Sequence, residues 1–458
     1  MSVVENTKLD SALNFRTLQS TRSFPQFRKV YPANGGARNF TLASAGALQN
    51  VIFNVPAECV NMGESYLEYS YTIDAQAAGR YSWIYKDVHG EFDSVMYRDT
   101  GSMALVDVKN AHLLQQITNR LNFDSNYLEY NDNLNGLVPT NAPLTDVKSV
   151  RFDGNPCSLA FKEAQQMAIV SGAAALSSVI YKKVYLKDLL KDTYFGLAKH
   201  QILPIETYLE LNFSNTANRV GFSSLSAVNP NSTPLAFINN INISGLVLNL
   251  CVEQNQEIVK MFKSEVAKGV NFPIPWVRTH QLAMSATANN FVYNLPLDNK
   301  QHGQRIKRIV YAPTLLTGAA ANSLYDHQNL PSAPRIAQYQ TELDNQKMQR
   351  DILYISATQN DDYMFHKKLL KDTLYFNQPI YNQNWLHVDS WDFGQLNDKS
   401  GAGNIAVDGL VLDKPMTWSF NCFLCSTGDG VTAVQLYNNA IVCGQKMLSV
   451  NESSFVVV

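Results

Sequence analysis

Residues Leu42 to Tyr71 read LASAGALQNVIFNVPAECVNMGESYLEYSY, and residues Leu282 to Tyr311 read LAMSATANNFVYNLPLDNKQHGQRIKRIVY. Laid over each other without a gap, they share Leu42/Leu282, Ala43/Ala283, Asn50/Asn290, Asn54/Asn294, Pro56/Pro296, Gly63/Gly303 and Tyr71/Tyr311. Val51, Phe53 and Val55 recur every second position, as Phe291, Tyr293 and Leu295 do. That period is the mark of a strand with one buried face. Each run closes on Asn-X-Pro, where proline ends ladder pairing. A polar turn with a glycine follows, then a second aromatic or β-branched run. Two strands and their connection recur in register, which predicts a duplicated β unit.

Two further echoes keep the same order. LLKDTYF at Leu189 to Phe195 returns as LLKDTLYF at Leu369 to Phe376. More loosely, Leu203-Pro204 leads into ETYLELNF, and Lys414-Pro415 leads into MTWSFNCF. Short strands resemble one another, so coincidence is the competing explanation. The offset falls from 240 at the first echo to 180 at the second, which assigns about 60 more residues to the first half there.

At 458 residues the chain is long for one core, so two or three domains are expected. A charged fraction of 17% and a net charge of -2 exclude a polycation or an acidic solvating chain. No apolar run is long enough for a transmembrane helix. MSVVENTKLD lacks an apolar core, so secretion is not expected. The sequons at Asn39, Asn212, Asn231, Asn242 and Asn451 are accordingly expected to stay unmodified. Six scattered cysteines fit reduced thiols better than a disulfide framework.

Residues 1–36 show little periodicity and interleave basic with aromatic side chains, among them Arg16, Arg22, Phe24, Phe27, Arg28 and Lys29. This pattern fits a tail on the chain's own surface. It also fits an arm that ties down a neighbouring subunit or meets an acidic layer of lipid or nucleic acid. A first all-β unit is expected over 37–254 and a second over 271–458. Asp107 to Arg120 reads as a short helix, with Val108, Ala111, Leu114 and Ile117 on one face. Asn122 to Pro156 is crowded with turn residues and reads as a long exposed excursion. Leu246, Leu248, Leu250 and Val252 form the cleanest alternation, and Met416, Trp418, Phe420 and Cys422 share one strand face. A linking helix is expected over 255–270. Asn255 caps it, Ile258, Val259, Phe262 and Val266 form its apolar face, Gly269 ends it, and Pro273 and Pro275 forbid its continuation. The apolar end, Phe455, Val456, Val457 and Val458, predicts a final strand or a clip onto a neighbour.

Catalytic and metal signals are weak. Cys422-Phe-Leu-Cys425 is the only CxxC, without a second pair nearby, and i, i+3 residues of a strand face opposite ways. His366 and His387 lie near Asp361, Asp362 and Asp389, a common occurrence in loops. Neither a P-loop nor a GxSxG is present, and GAGN at Gly401 to Asn404 lacks the strand–helix context of a phosphate cradle. Tyr181 to Lys191 combines lysines with aromatics and reads as a strand and helix with solvated lysines rather than a nucleic-acid patch. No catalytic residue, metal or cofactor is assigned.

Two tandem all-β units of about eight strands each suggest a pair of jelly-roll sandwiches with a short inter-domain helix and a few helices in loops. Echoing halves, a joining helix from Glu257 to Lys268 and no catalytic motif together resemble the double jelly-roll major capsid proteins of tailless icosahedral DNA viruses, the virophage and Polinton-like group in particular. The resemblance covers the chain past the arm and carries no site residues. It implies a non-enzymatic structural subunit located in the virion capsid and assembled inside the host cell. It also implies a homotrimer forming a pseudo-hexagonal capsomer, with neighbouring capsomers and minor capsid or penton proteins as partners and no small-molecule substrate. Contact with an internal membrane or the genome would run through the N-terminal arm. Asn122 to Pro156 and Gly394 to Gly409 become tower candidates. The alternatives are a two-domain jelly-roll lectin or adhesin and a carbohydrate-active enzyme with close carboxylates.

Overall fold

In a computed structural model the described residues are 23–35, 37–43, 49–73, 81–85, 89–101, 103–122, 149–151, 163–167, 179–214, 220–224, 236–237, 240–286, 290–315, 334–354, 387–391, 409–427 and 434–458. Among the described residues, sixteen strands make the framework of two sandwiches, with shorter strands added to their sheets. The first uses β1 (Pro25–Val30), β2 (Gln49–Val55), β3 (Cys59–Ile73), β4 (Phe92–Asp99), β5 (Ala104–Lys109), β6 (Val179–Tyr185), β7 (Thr207–Phe213) and β8 (Asn240–Glu253). The second uses β9 (Val270–Ala286), β10 (Phe291–Leu297), β11 (Arg305–Leu315), β12 (Pro334–Leu343), β13 (Gln346–Lys347), β14 (His387–Ser390), β15 (Met416–Thr427) and β16 (Val434–Val450).

The first roll pairs a β1-β8-β3-β6 sheet with a β2-β7-β4-β5 sheet, and the second pairs β9-β16-β11-β14 with β10-β15-β12-β13. The connectivity is identical when eight is added to each label, and each half is a jelly roll. The duplicated stretch is the β2–β3 unit and its counterpart β10–β11. Val55 faces Thr207 across the ladder, and Leu295 faces Trp418. Leu209 and Leu211 therefore match Phe420 and Cys422, and all four are buried. A slip of one residue would turn each set to solvent.

The second echo is not part of this repeat. LLKDTYF follows β6, forming the short helix Leu186–Leu189 and the 3-10 turn Tyr194–Leu197. LLKDTLYF lies outside the described residues and precedes β14, the counterpart of β6. Shared words fall in different connections, so the 60-residue surplus read from them does not hold; the β5–β6 connection spans 110–178 against 348–386 for β13–β14.

Helix α1 (Ala111–Asn122) begins later than expected because Asp107 and Val108 complete β5. Helix α2 (Gln256–Ala267) joins the rolls. The Asn255 side chain accepts from Glu257 N–H, and Gly269 leaves the helix at φ +81°. Its apolar face is only half-buried, with Val266 against the core. Pro273 and Pro275 sit in β9, an edge strand, where a missing N–H breaks no ladder. Among the described residues no helix is long and apolar enough to cross a membrane.

Candidate assembly surfaces

The outer face of the second roll's β9-β16-β11-β14 sheet is covered from within the chain. Val277, Val310, Val388, Ile441 and Cys443 on that face join the buried apolar cluster of the first roll. Strand β5 and the Tyr194–Leu197 turn of the first roll lie against β9. Polar ties flank the contact. Arg278 donates to Asp107 Oδ2 at 2.5 Å, Thr279 Oγ1 to the Lys109 carbonyl at 2.6 Å, and the Arg308 guanidinium pairs with Asp192. Burial would lower the Arg308 pKa, but Asp192 beside it outweighs that and holds the guanidinium charged.

Among the described residues, no element covers the corresponding outer face of the first roll in the same way. Alternation sends Tyr66, Glu68, Tyr181, Lys183 and Tyr185 outward, because Leu67, Tyr69, Lys182 and Val184 point in. Phe27 on β1 is 51% exposed and Tyr181 55%. Phe27 stands edge-on to Tyr66 at 5.2 Å, and Tyr66 lies 5.2 Å from Tyr185. Lys183 rides over Tyr66 at 5.7 Å and Lys187 over Tyr185 at 5.6 Å. Rings and stems braced in this way form an aromatic face with mixed charge, Lys187 being paired with Glu64 at 2.6 Å.

The N-terminal candidates divide. Arg16 and Arg22 lie outside the described residues. Phe24 precedes β1, and Phe27, Arg28 and Lys29 are in it, so the irregular arm expected to residue 36 gives way to a strand at Pro25. Its partner β8 supplies the pairing, from Pro25 opposite Glu253 to Val30 opposite Leu248. Glu253 clasps its start, accepting from Ser23 Oγ at 2.5 Å and Phe24 N at 2.8 Å while also accepting from Asn255 N at 2.9 Å. Arg28 is paired with Glu58 at 3.0 Å. At the other terminus Phe455–Val457 is a final strand on β16. Phe455 is buried in the core, whereas Val456 and Val458 are 42% and 58% exposed.

A third sheet runs Ala236–Phe237, Gly221–Ser224, Tyr81–Tyr85, Glu163–Met167, Ser149–Arg151. Its strands come from the β3–β4, β5–β6 and β7–β8 connections, which all leave one end of the antiparallel roll. Within the Asn122 to Pro156 candidate, only Asn122 and Ser149–Arg151 are described, and the latter strand belongs to this sheet. The Gly394 to Gly409 candidate is outside the described residues except Gly409. Its flanks point to the opposite end: β14 finishes with Ser390 beside Arg308, and Leu410–Val411 pairs with Ile306 and Arg305 at the start of β11. The turn-rich composition was legible there, but not which end of the roll it serves.

Charged groups inside the rolls are closed to substrates. Lys182, expected to be solvated, is 1% exposed, with Nζ 3.5 Å from Glu91 Oε1 and 3.2 Å from His89 Nδ1. Tyr69 also donates to Glu91. Burial would raise the Glu91 pKa, but Lys182, His89 and Tyr69 together hold it far below the usual carboxylate range. At the matching place in the second roll stands Asp389, of opposite charge, 3.1 Å from His387 Nε2. Trp418 Nε1 donates to Asp389 at 2.8 Å, and Tyr339 meets His387 Nδ1 at 2.7 Å. The His387–Asp389 pair exists, yet both side chains are fully enclosed. His366, Asp361, Asp362 and Gly401 to Asn404 lie outside the described residues. Cys59, Cys251, Cys422 and Cys443 are buried free thiols, and burial raises Cys59 to about 12 and Cys251 and Cys443 to about 11. Cys425 lies in β15, and its side chain is not among those described. Among the described residues no group of three or more His, Cys, Asp or Glu gathers as a metal site would require.

No protein-family model and no curated protein matches the chain. Solved structures do. PBCV-1 VP54, in a crystal structure fitted into a reconstruction of the virophage Sputnik, matches with a TM-score of 0.53 at 10% identity, over 97% of this chain and 99% of that one. The Faustovirus major capsid protein gives 0.52 at 8% identity, over 98% and 94%. A quasi-atomic model of the PBCV-1 capsid gives 0.50 at 12% identity, over 97% and 99%. At these identities the likeness shows the fold: the chain is a double jelly roll along nearly its whole length.

Proposed function

We propose that the chain is a viral major capsid protein, a structural subunit of the virion shell of a tailless icosahedral DNA virus. Three copies would close into a pseudo-hexagonal capsomer. The observation that carries this is the uneven cover of two equivalent faces. Within one chain, the β5 edge and the β6–β7 connection of the first roll cover the outer sheet face of the second. Among the described residues, the same outer face of the first roll leaves Phe27 and Tyr181 exposed and Tyr66 and Tyr185 half-buried. If the second roll offers its own edge to the next copy as the first does within the chain, a heterologous contact repeats. Three chains then supply six rolls and the ring closes. One neighbour is the Faustovirus major capsid protein and another comes from the PBCV-1 capsid, which favours the same use of the fold.

On this reading no active site is required, and the enclosed His387–Asp389 pair serves packing. Minor capsid or penton proteins would meet the capsomer's outer sides, and residues 1–22 would supply any contact with a neighbour, a membrane or the genome. Multi-angle light scattering on the intact protein should give about three times 51.2 kDa, or larger closed particles. A double substitution, Tyr66→Asp with Tyr181→Asp, should leave a folded monomer. A wild-type chain that stays monomeric at high concentration and is retained on a glycan column would transfer the assignment to a lectin.

A further inference from the structure

Two imidazoles meet head to head in the second roll. His280 comes from edge strand β9, and His302 ends the short helix Asn299–His302 between β10 and β11. Their Nε2 atoms are 2.7 Å apart and the ring centroids 4.9 Å. Two ring nitrogens at that separation share one hydrogen, one donating and the other accepting. The far nitrogen of His302 serves either arrangement. Its Nδ1 accepts from Asp298 N–H at 3.1 Å in one tautomer and donates to the Asp298 carbonyl at 3.1 Å in the other. The contact therefore holds a neutral or singly charged pair. With both rings charged, N–H is set against N–H.

The surroundings oppose added charge and leave little room to relax. Arg278 lies two residues along β9, and Lys446 of β16 sits 4.1 Å over the Trp276 ring while donating to the Lys300 carbonyl. The carboxylates present are Asp298 and, from the first roll, Asp107, which is already engaged by Arg278. Lys109 contributes only its carbonyl, to Thr279. The turn is seated tightly. A Cβ on Gly303 would lie 2.2 Å from the Gln445 carbonyl, and one on Gly444 would lie 2.3 Å from that of His302. Trp276 Nε1 adds a bond to the Gln301 carbonyl at 2.8 Å.

We propose that the His280–His302 contact is an acid-released latch. Neutral, it pins the middle of β9 to the Asn299–His302 turn. Charged on both rings, it parts and loosens the neighbouring stretch, Arg278 and Thr279, by which the second roll grips the first. The latch belongs to the single chain, so it goes beyond the capsid reading and does not depend on it. Burial, with His302 and Arg278 adding to it, pushes His280 down to about 4 from the ordinary 6.5. A depressed histidine stabilises the closed state above 6.5 and loses that contribution as pH falls towards 4. Opening at pH 5 should then be favoured on the order of thirtyfold over pH 7.5.

Hydrogen exchange followed by mass spectrometry on the intact chain tests this. After correction for intrinsic rates, peptides over 274–283 and 298–304 should lose protection between pH 7.5 and 5, while 207–213 should not. In His280→Gln, whose amide can still bond His302, the acid-dependent loss should shrink several-fold, leaving only the response of His302. A variant with the same acid response as wild type would overturn the latch. Should that variant not fold, histidine titration by NMR on the wild type decides. A depressed, coupled pair supports the latch, and two independent values near 6.5 overturn it.

Discussion

Arg278, on the edge strand of the second roll, reaches Asp107 at the end of the first roll's sheet, with Nη1 and Oδ2 2.5 Å apart. Nearby, Arg308 pairs with Asp192 across the same contact, but Arg308 is almost wholly buried and Arg278 is not. The two bridges join the same bodies in different dielectric surroundings, and their values should differ accordingly.

Asp107→Ala removes a partner from a part-exposed pair and should cost about 0.5–1 kcal/mol. Asp192→Ala leaves a buried guanidinium without its counter-charge and should cost about 3 kcal/mol. Urea unfolding of the two variants compares them directly. Equal losses would mean that burial does not set the strength of this contact.

Asp389 gathers Trp418, His387 and Gln349 around one enclosed carboxylate. Burial would raise its pKa, yet His387 and the hydrogen bonds from its neighbours outweigh that and hold it below the ordinary value. A depressed carboxylate stabilises the fold above its unfolded pKa and ceases to do so as pH falls through the folded one. Asp389→Ala should cost about 3–5 kcal/mol near neutrality. Denaturant midpoints of wild type and Asp389→Asn should converge below about pH 4. A gap that persists unchanged to pH 2.5 would assign the stabilisation to shape rather than charge.

The jelly-roll pair was legible because its signal is local. Val51, Phe53 and Val55, like Leu246, Leu248 and Leu250, declare their buried face through alternation alone, and duplication doubles the signal. Connections carry no such period. LLKDT matched by spelling while falling after β6 in one half and before β14 in the other, and Gly394 to Gly409 revealed its turn residues but not its end of the roll. Buried charges were also hidden: Lys182 looks solvated until strand parity turns it inward, towards Glu91, which is far away in sequence. The aromatic face was missed for a related reason. Tyr66, Tyr181 and Tyr185 read individually as strand formers, and only the β3–β6 register brings them together.

The C-terminal run divides its labour by parity. Phe455 is core, so Phe455→Ala should cost about 3–5 kcal/mol in thermal or urea unfolding of the isolated chain. Val456 and Val458 face outward, and Val456→Asp with Val458→Asp should change monomer stability by no more than about 0.5 kcal/mol. If these two meet a neighbour, the double variant should fold normally yet assemble less, as judged by sedimentation. Wild-type particle yield would confine the C-terminal strand to its own roll.

Glu253 holds the start of β1. Its carboxylate accepts from Ser23, Phe24 and Asn255, tying the entry to β1 to the cap of the linking helix. Burial would raise its pKa, and these three donors lower it below the ordinary value instead. The clasp is therefore present above about pH 4.5 and weakens as pH falls through the lower folded value. Deleting 1–36 would strip β1 from β8 and expose a long, apolar sheet edge, so that truncation should aggregate. Deleting 1–22 keeps β1 and its clasp. It should give a folded protein with native thermal stability, and any loss of assembly would then belong to the arm itself. Glu253→Ala in the full chain should raise hydrogen exchange over residues 24–30 without unfolding β3 or β7. If removing 1–36 instead leaves a soluble protein with unchanged stability, β1 contributes nothing to the sheet and the arm extends as far as Tyr31.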